Sequence, residues 1–241
     1  MGKKLWLFVS DVDGTLLGDD EALGRLSAEL KKAADRVTVV FNSSRPCASL
    51  RESLSAVPHL PPPDYLIGGM GTEIEIGRTG ERLSSYERHL NKGWNREKTA
   101  DLVAGLDAVP HLEKFQTPFK VSFDIPDSDT YREVQQRLAD SGLAAKAIFS
   151  AGRFLDLIAA NGGKGEAIRF LQKQVGVPPE QVVVAGDSGN DVEMFVSPFR
   201  GIIVGNADKD LMRLSGSHIY KATQFHAGGL LEGLHYWGVL T

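Results

Sequence analysis

The eight residues Phe8–Thr15, FVSDVDGT, set Asp11 and Asp13 one residue apart at the end of an apolar run. Like charges this close repel and are costly to bury. The pair is therefore either a solvated turn or a seat for a cation. Other apolar runs end in polar clusters too: Asn42-Ser43-Ser44-Arg45 after VTVVF, GDSGND (Gly186–Asp191) after QVVVA, and Gly205-Asn206 after RGIIV. Ligands of open parallel sheets bind outside the carboxyl ends of the strands. If these runs are parallel neighbours, Asp11, Asp13, Asp187 and Asp191 gather at one edge. Four carboxylates together call for a divalent cation, and an oxygen-only set without His or Cys suits Mg²⁺ rather than zinc.

Mg²⁺ in such sites keeps waters and shares phosphate oxygens with a substrate. The rest of the edge fits a phosphate. Ser43 offers a hydroxyl and a backbone N–H. Lys164, opening KGEAIRF, offers a charge that the helix N-terminus reinforces. Gly162, Gly163 and Gly165 allow close backbone approach. Each piece also has an ordinary structural reading: a capped turn, a helix N-cap, a solvated loop, a surface lysine. GGKG is not a nucleotide P-loop, because Ile158 and Gly165 stand where that motif needs Gly and Ser/Thr. GGMGTE (Gly68–Glu73) lacks the full dinucleotide glycine pattern. What favours the chemical reading is order: the four pieces come in sequence, each at a strand end or a helix start.

The elements that must position them follow from periodicity. LWLFVS, VTVVFNS, DYLIGG, QVVVAGD and RGIIVGN do not alternate and are rich in β-branched and aromatic residues, as strands buried on both faces are. EALGRLSAELKKAA and KGEAIRFLQKQVG carry apolar residues at helical spacing, the second closing on Gly176. Strands alternating with helices predict an α/β, Rossmann-like, doubly wound parallel sheet. The middle differs. In FKVSFDI, Phe119, Val121, Phe123 and Ile125 alternate with Lys120, Ser122 and Asp124, which predicts a sheet with one open face. REKTADLVAGL and YREVQQRLADSG read as flanking helices. The expected organisation is a core in two parts, 1–81 and 158–241, with an inserted α+β cap over 82–157.

At 241 residues the chain is long enough for one domain plus a large insertion. A net charge of −4 argues against a nucleic-acid surface. A single cysteine, Cys47, excludes an internal disulfide or a cysteine-based zinc site. No apolar run reaches membrane-spanning length, and MGKK is too short and polar for a leader. The expectation is a cytoplasmic protein with no membrane or nucleic-acid partner.

The DVDGT, Ser43, Lys164 and GDSGND elements resemble the four motifs of the haloacid dehalogenase superfamily of phosphohydrolases. The insertion resembles the α/β cap of its Cof-like group. LGD (Leu17–Asp19), PDYLIGGMGTEI, PFKVSF, GRFLDLI, IIVGNA and HAGGLLEGL are similar to the sucrose-phosphatase subfamily, in which VVFNSSR, GIIVGNA and LLEGLHYWG also look like mannosylfructose-phosphate phosphatases. The resemblance implies a Mg²⁺-dependent phosphatase in which Asp11 attacks phosphorus. Asp13 would lend its backbone carbonyl to the metal and its side chain as acid and base. Asp187 would ligate the metal, with Asp191 supporting it directly or through water. Ser43 and Lys164 would grip the phosphoryl oxygens, with Ser44, Arg45 and Asn190 beside them. The second motif departs from the family's usual Thr-Gly-Arg in reading Ser43-Ser44-Arg45.

Substrate choice falls to the cap, with Glu113, Gln116, Lys120, Ser122 and, near the return crossing, Asn161 as candidate sugar contacts. His226 reads as a loop-ordering residue, and Trp94 and Trp237 as packing residues. The implied substrate is a fructosyl disaccharide phosphate, sucrose 6-phosphate first and mannosylfructose phosphate as the alternative. A phosphosugar mutase and a non-catalytic sugar-phosphate-binding module are the competing classes. The expected assembly is a monomer, with association with a sugar-phosphate synthase as a further expectation.

Overall fold

The computed structural model describes residues 5–196 and 198–241. The apolar runs form the middle of a seven-stranded sheet. In chain order its strands are β1 (Trp6–Asp11), β2 (Val37–Asn42), β3 (Tyr65–Gly68), β4 (Glu73–Ile76), β9 (Val182–Gly186), β10 (Arg200–Ile203) and β11 (Ile219–Lys221). Their spatial order is β11-β10-β9-β1-β2-β3-β4. All pairs are parallel except β3 with β4. β1 and β2 run in register, so Asp11 faces Asn42.

Alternate residues of these strands enter opposite layers, as the pleat requires. Phe8, Phe41, Val183 and Ile202 pack under the helices Asp20–Lys32, Cys47–Leu54 and His226–Tyr236. Leu7, Val9, Val40 and Val184 pack on the other face against Ala167, Ile168 and Leu171 of the helix Lys164–Val175. That helix ends where the sequence places its stop, on Gly176 at φ +68.

β4 and β11 were not read from the sequence. β4 is Glu-Ile-Glu-Ile, yet Glu73 and Glu75 are buried. Ion pairs make that tolerable: Arg82 Nη2 lies 2.8 Å from Glu73, and Arg51 Nη2 lies 2.6 Å from Glu75. Glu73 also accepts the Cys47 N–H at 2.8 Å, at the start of the helix that follows Ser43–Arg45.

Between β4 and the helix Lys164–Val175 lies a second sheet of four antiparallel strands. These are β5 (Val109–Pro110), β6 (Lys120–Asp124), β7 (Ala145–Ser150) and β8 (Phe154–Ala159), in the order β5-β6-β8-β7. The helix Ser128–Ser141 covers one face over Val121, Phe123, Leu155 and Leu157. REKTADLVAGL is helical only over Arg96–Ala100, then tightens to a 3₁₀ turn at Asp101–Val103. Helix Ser84–Leu90 packs Tyr86 and Leu90 into the layer beneath the large sheet.

One expectation fails here. The polar face of β6 is not open: Lys120 and Ser122 are buried, as is Asp156 opposite Ser122 on β8. The reason is that this face meets Ser44, Arg45 and Pro46 of the large-sheet edge, and its charges are paired internally.

Candidate active site

The carboxyl ends of β1, β2 and β9 supply the site. Asp11 ends β1 and is buried. Lys164, at the first turn of its helix, is fully buried and sends its ammonium between two carboxylates, 2.6 Å from Asp11 Oδ1 and 2.6 Å from Asp191 Oδ1. It also donates to Asn190 Oδ1 at 3.2 Å. Asp191 holds its own turn as well, since its Oδ2 accepts the N–H groups of Asp187 and Ser188 at 3.1 and 3.2 Å. Asp187 is half-buried and takes the Thr15 hydroxyl at 2.9 Å. Gly14, at φ +86, lets the loop pass so close that a Cβ would lie 2.5 Å from Asp187 Oδ2.

Asp11, Asp187 and Asp191 bring ligand oxygens within 4.8 Å of one another. One ammonium against three carboxylates leaves an excess of negative charge in a poorly hydrated place. Burial pushes the Asp11 carboxyl up to about 8, with Asp191 and Asp187 adding repulsion and Lys164 opposing. Burial alone would lower Lys164, but Asp11 and Asp191 together outweigh it and hold the ammonium above its ordinary range. Burial likewise raises Asp187, against the Thr15 hydrogen bond. An oxygen-only cluster short of positive charge fits a hard divalent cation.

Asp13 stands apart from this cluster. Its side chain is exposed and pairs with Arg45, whose Nε lies 2.9 Å from Oδ2 and whose Nη2 donates to Oδ1 at 3.2 Å. The second motif thus meets the first through a fork-like ion pair. Ser43 is buried at the end of β2, but its N–H is taken by Ile67 O at 3.0 Å and its Oγ accepts the Arg45 N–H at 3.2 Å. The expected pair of phosphate donors on Ser43 therefore reduces to its hydroxyl. Beside it, buried Asn42 donates to Lys164 O at 3.2 Å, a contact that sequence reasoning did not anticipate.

A left-handed run holds these pieces in place. Gly69, Met70 and Gly71 have φ of +58, +58 and +75. Gly69 N–H and Met70 N–H donate to Arg45 O and Ser43 O at 2.7 and 3.2 Å, and Gly163 N–H donates to Gly71 O at 3.3 Å. A Cβ on Gly71 would overlap the Gly163 carbonyl. Gly71→Ala is therefore expected to cost about 1–3 kcal/mol in a urea melt. It should also lower phosphate release by displacing the residue before Lys164.

Above the edge, a cavity of about 160 Å³ lies between Ser44 and Arg45 on one side and Lys120, Asp156 and Phe154 of the small sheet, with His111 just after β5, on the other. Lys120 Nζ donates to Ser122 Oγ at 2.8 Å and to Asp156 Oδ1 at 3.2 Å. Of the cap residues expected to meet a sugar, Lys120 alone lines this cavity. Gln116 is turned into its own loop, donating to His111 O and Ser122 O and accepting the Ser122 N–H. Asn161 donates to His89 O at 3.3 Å. Ser122 donates to Asp156 at 2.5 Å, and Glu113 is exposed outside the cavity. His111 and Asp156 were missed; only the pairing of β6 with β8 brings Asp156 beside Lys120. A larger cavity of about 590 Å³ opens at the other end of β2, beside Val37 and Pro61, away from the acidic cluster.

Mannosylfructose-phosphate phosphatase of Agrobacterium fabrum is 34% identical over 245 residues, covering 98% of each chain. Sucrose-phosphatase 1 of Nicotiana tabacum is 29% identical over 97% of this chain, which spans only 59% of that protein. A crystal structure of sucrose-phosphatase from Synechocystis sp. in complex with sucrose and phosphate superposes with a TM-score of 0.90, at 29% identity and 98% coverage of both chains. A haloacid dehalogenase-like hydrolase from Bacillus subtilis shares the fold at a TM-score of 0.75. The model of the sucrose-6F-phosphate phosphohydrolase family matches residues 4–238. With the acidic edge, the buried lysine and the inserted cap all in place along that match, the chain belongs to the sucrose-6F-phosphate phosphohydrolase family.

Proposed function

We propose that this protein hydrolyses a fructosyl disaccharide phosphate, sucrose 6-phosphate first, with Mg²⁺ as its metal. The observation that carries the reading is the meeting of Asp11, Lys164, Asp187 and Asp191 at one sheet edge beneath a polar cap cavity. An Asp11 oxygen attacks phosphorus, and the bond to the sugar oxygen breaks as Asp13 gives that oxygen its proton. Water then attacks the aspartyl-phosphate, Asp13 takes the water's proton, and phosphate leaves with Asp11 restored as a carboxylate. Asp11, Asp187 and the Asp13 carbonyl, with Asp191 in support, would hold a divalent cation, which would supply the positive charge that lets one anion approach another. Lys164 and the Ser43 hydroxyl hold the phosphoryl oxygens.

The cap supplies discrimination. Lys120 and Asp156 offer a donor and an acceptor to sugar hydroxyls, and Arg45 joins the cavity to Asp13. The cavity, at about 160 Å³, is smaller than the roughly 300–1,000 Å³ usual for small-molecule sites. Alongside this reading we propose a cytoplasmic monomer that associates with a sugar-phosphate synthase.

Phosphate release from a panel of sugar phosphates, with Mg²⁺ or with chelator, tests this. Disaccharide phosphates bearing fructose should exceed monosaccharide phosphates in kcat/KM by roughly 10-fold or more, and chelator should remove the activity. Equal turnover of monosaccharide phosphates would sink the substrate assignment. Mannosylfructose phosphate is the second reading, favoured by the 34% identity across the whole Agrobacterium relative.

A further inference from the structure

The loop that carries Asp13 is gripped from the far end of the chain. Gly14 O accepts the Asn206 side-chain N–H at 2.7 Å and lies 2.8 Å from His226 Nδ1. A carbonyl only accepts, so His226 carries its proton on Nδ1. Asn206 Oδ1 in turn accepts the His226 backbone N–H at 2.9 Å, which locks the two grips together.

The histidine is held in an unusual way. Its φ is +48, a region that bulky residues enter only where the surroundings over-determine them. Its ring lies against Gly18, at φ +133, where a Cβ would come within 2.6 Å of the ring. Thr15, from the same loop, donates to Asp187. Asn206 and His226 are 192 and 212 residues from Gly14, and neither belongs to the acidic cluster. What they fix is the carbonyl of the residue that follows Asp13, in the Gly14–Thr15 peptide.

We propose that His226 and Asn206 are positioning residues for proton transfer by Asp13. By holding the Gly14 carbonyl they set where the Asp13 carboxyl stands over the leaving oxygen. The inference rests on the reading of Asp13 as acid and base, and it predicts a dependence on the leaving group. A sugar alkoxide is a strong base and departs only with a proton, whereas p-nitrophenolate is a weak base and departs without one.

The test is single-turnover release of the leaving group from sucrose 6-phosphate and from p-nitrophenyl phosphate, in saturating Mg²⁺. The variants are His226→Asn, Asn206→Ala and Asp13→Asn. Asn suits a positive φ, so His226→Asn removes the ring without straining the backbone. Each grip variant should slow release from the sugar phosphate by roughly 10- to 100-fold, a fraction of what a general acid contributes. Release of p-nitrophenolate should fall less than about 3-fold, because that step needs no proton from Asp13. Asp13→Asn should show the same split, only larger.

If Asp13→Asn shows the split while both grip variants slow the two substrates alike, or slow neither, the positioning role is overturned and the role of Asp13 stands. If Asp13→Asn itself shows no split, the reading of Asp13 falls, and the positioning role with it. The p-nitrophenyl phosphate arm also reports folding, because a collapsed site loses both substrates together and counts against the proposal.

Discussion

Asp11→Asn is expected to remove phosphate release, lowering kcat by at least about 10³-fold, as loss of a nucleophile does. The shape of the side chain is kept, so the packing of the site is preserved while its charge is removed. Asp11 is buried and its carboxyl is pushed up to about 8, chiefly by burial. A carboxyl raised on folding costs nothing below its unfolded value, and its penalty grows as pH rises toward the folded value. In chelator, the variant should therefore melt no lower than the parent at pH 5, with the difference moving in its favour toward pH 8. Added Mg²⁺ should reverse that order, since a cation stabilises the charged parent more than the neutral amide. Calorimetry across that range, with phosphate release on the same samples, checks both halves. Retained turnover would show that another group attacks phosphorus.

Lys164→Met should have the largest effect on stability. The ammonium is fully buried and is the cation that Asp11 and Asp191 share at 2.6 Å each. Removing one partner of a buried pair leaves uncompensated charge and costs about 3–5 kcal/mol. At about 2–4 °C per kcal/mol for a chain of this size, the melting temperature should drop by roughly 6–20 °C. Turnover should collapse with it, because the phosphoryl oxygens lose their fixed positive contact. Pairing Lys164→Met with Asp11→Asn should recover part of the lost stability, since the amide needs no counter-charge. A melting temperature within about 1 °C of the parent would mean that the carboxylates are balanced elsewhere.

Much of this arrangement could be read from residues in a row. The non-alternating runs announced the inner strands because burial on both faces leaves a local signature. The order Asp11, Ser43, Lys164, Asp187 announced the edge, because parallel strands deliver their ends to one side. What could not be read depends on partners distant in sequence. β4 carries two glutamates that become tolerable inside only beside Arg51 and Arg82. Ser43 lost its backbone donor to Ile67 through a strand pairing that the run VTVVF does not reveal. The alternation in β6 correctly separated apolar from polar residues but could not say what the polar side faces. It faces Ser44, Arg45 and Pro46 at the end of β2, which is why Lys120 and Ser122 are buried.

The position of β1 has a consequence for how the chain is made. β1 lies between β2 and β9, so one of its edges is completed by Val182–Ala185. The helix Asp20–Lys32 shares its hydrophobic layer with the helix His226–Tyr236, from the end of the chain. A nascent chain therefore holds a hydrophobic central strand with an open edge until Val182–Ala185 have left the ribosome. Such unpaired edges are templates for aggregation, and non-local pairing is slow to form. Asp11, at the tip of that strand, would burden the partly made sheet with a carboxylate still waiting for Lys164, and the small cap sheet, whose pairings all lie within residues 109–159, would be free to form first.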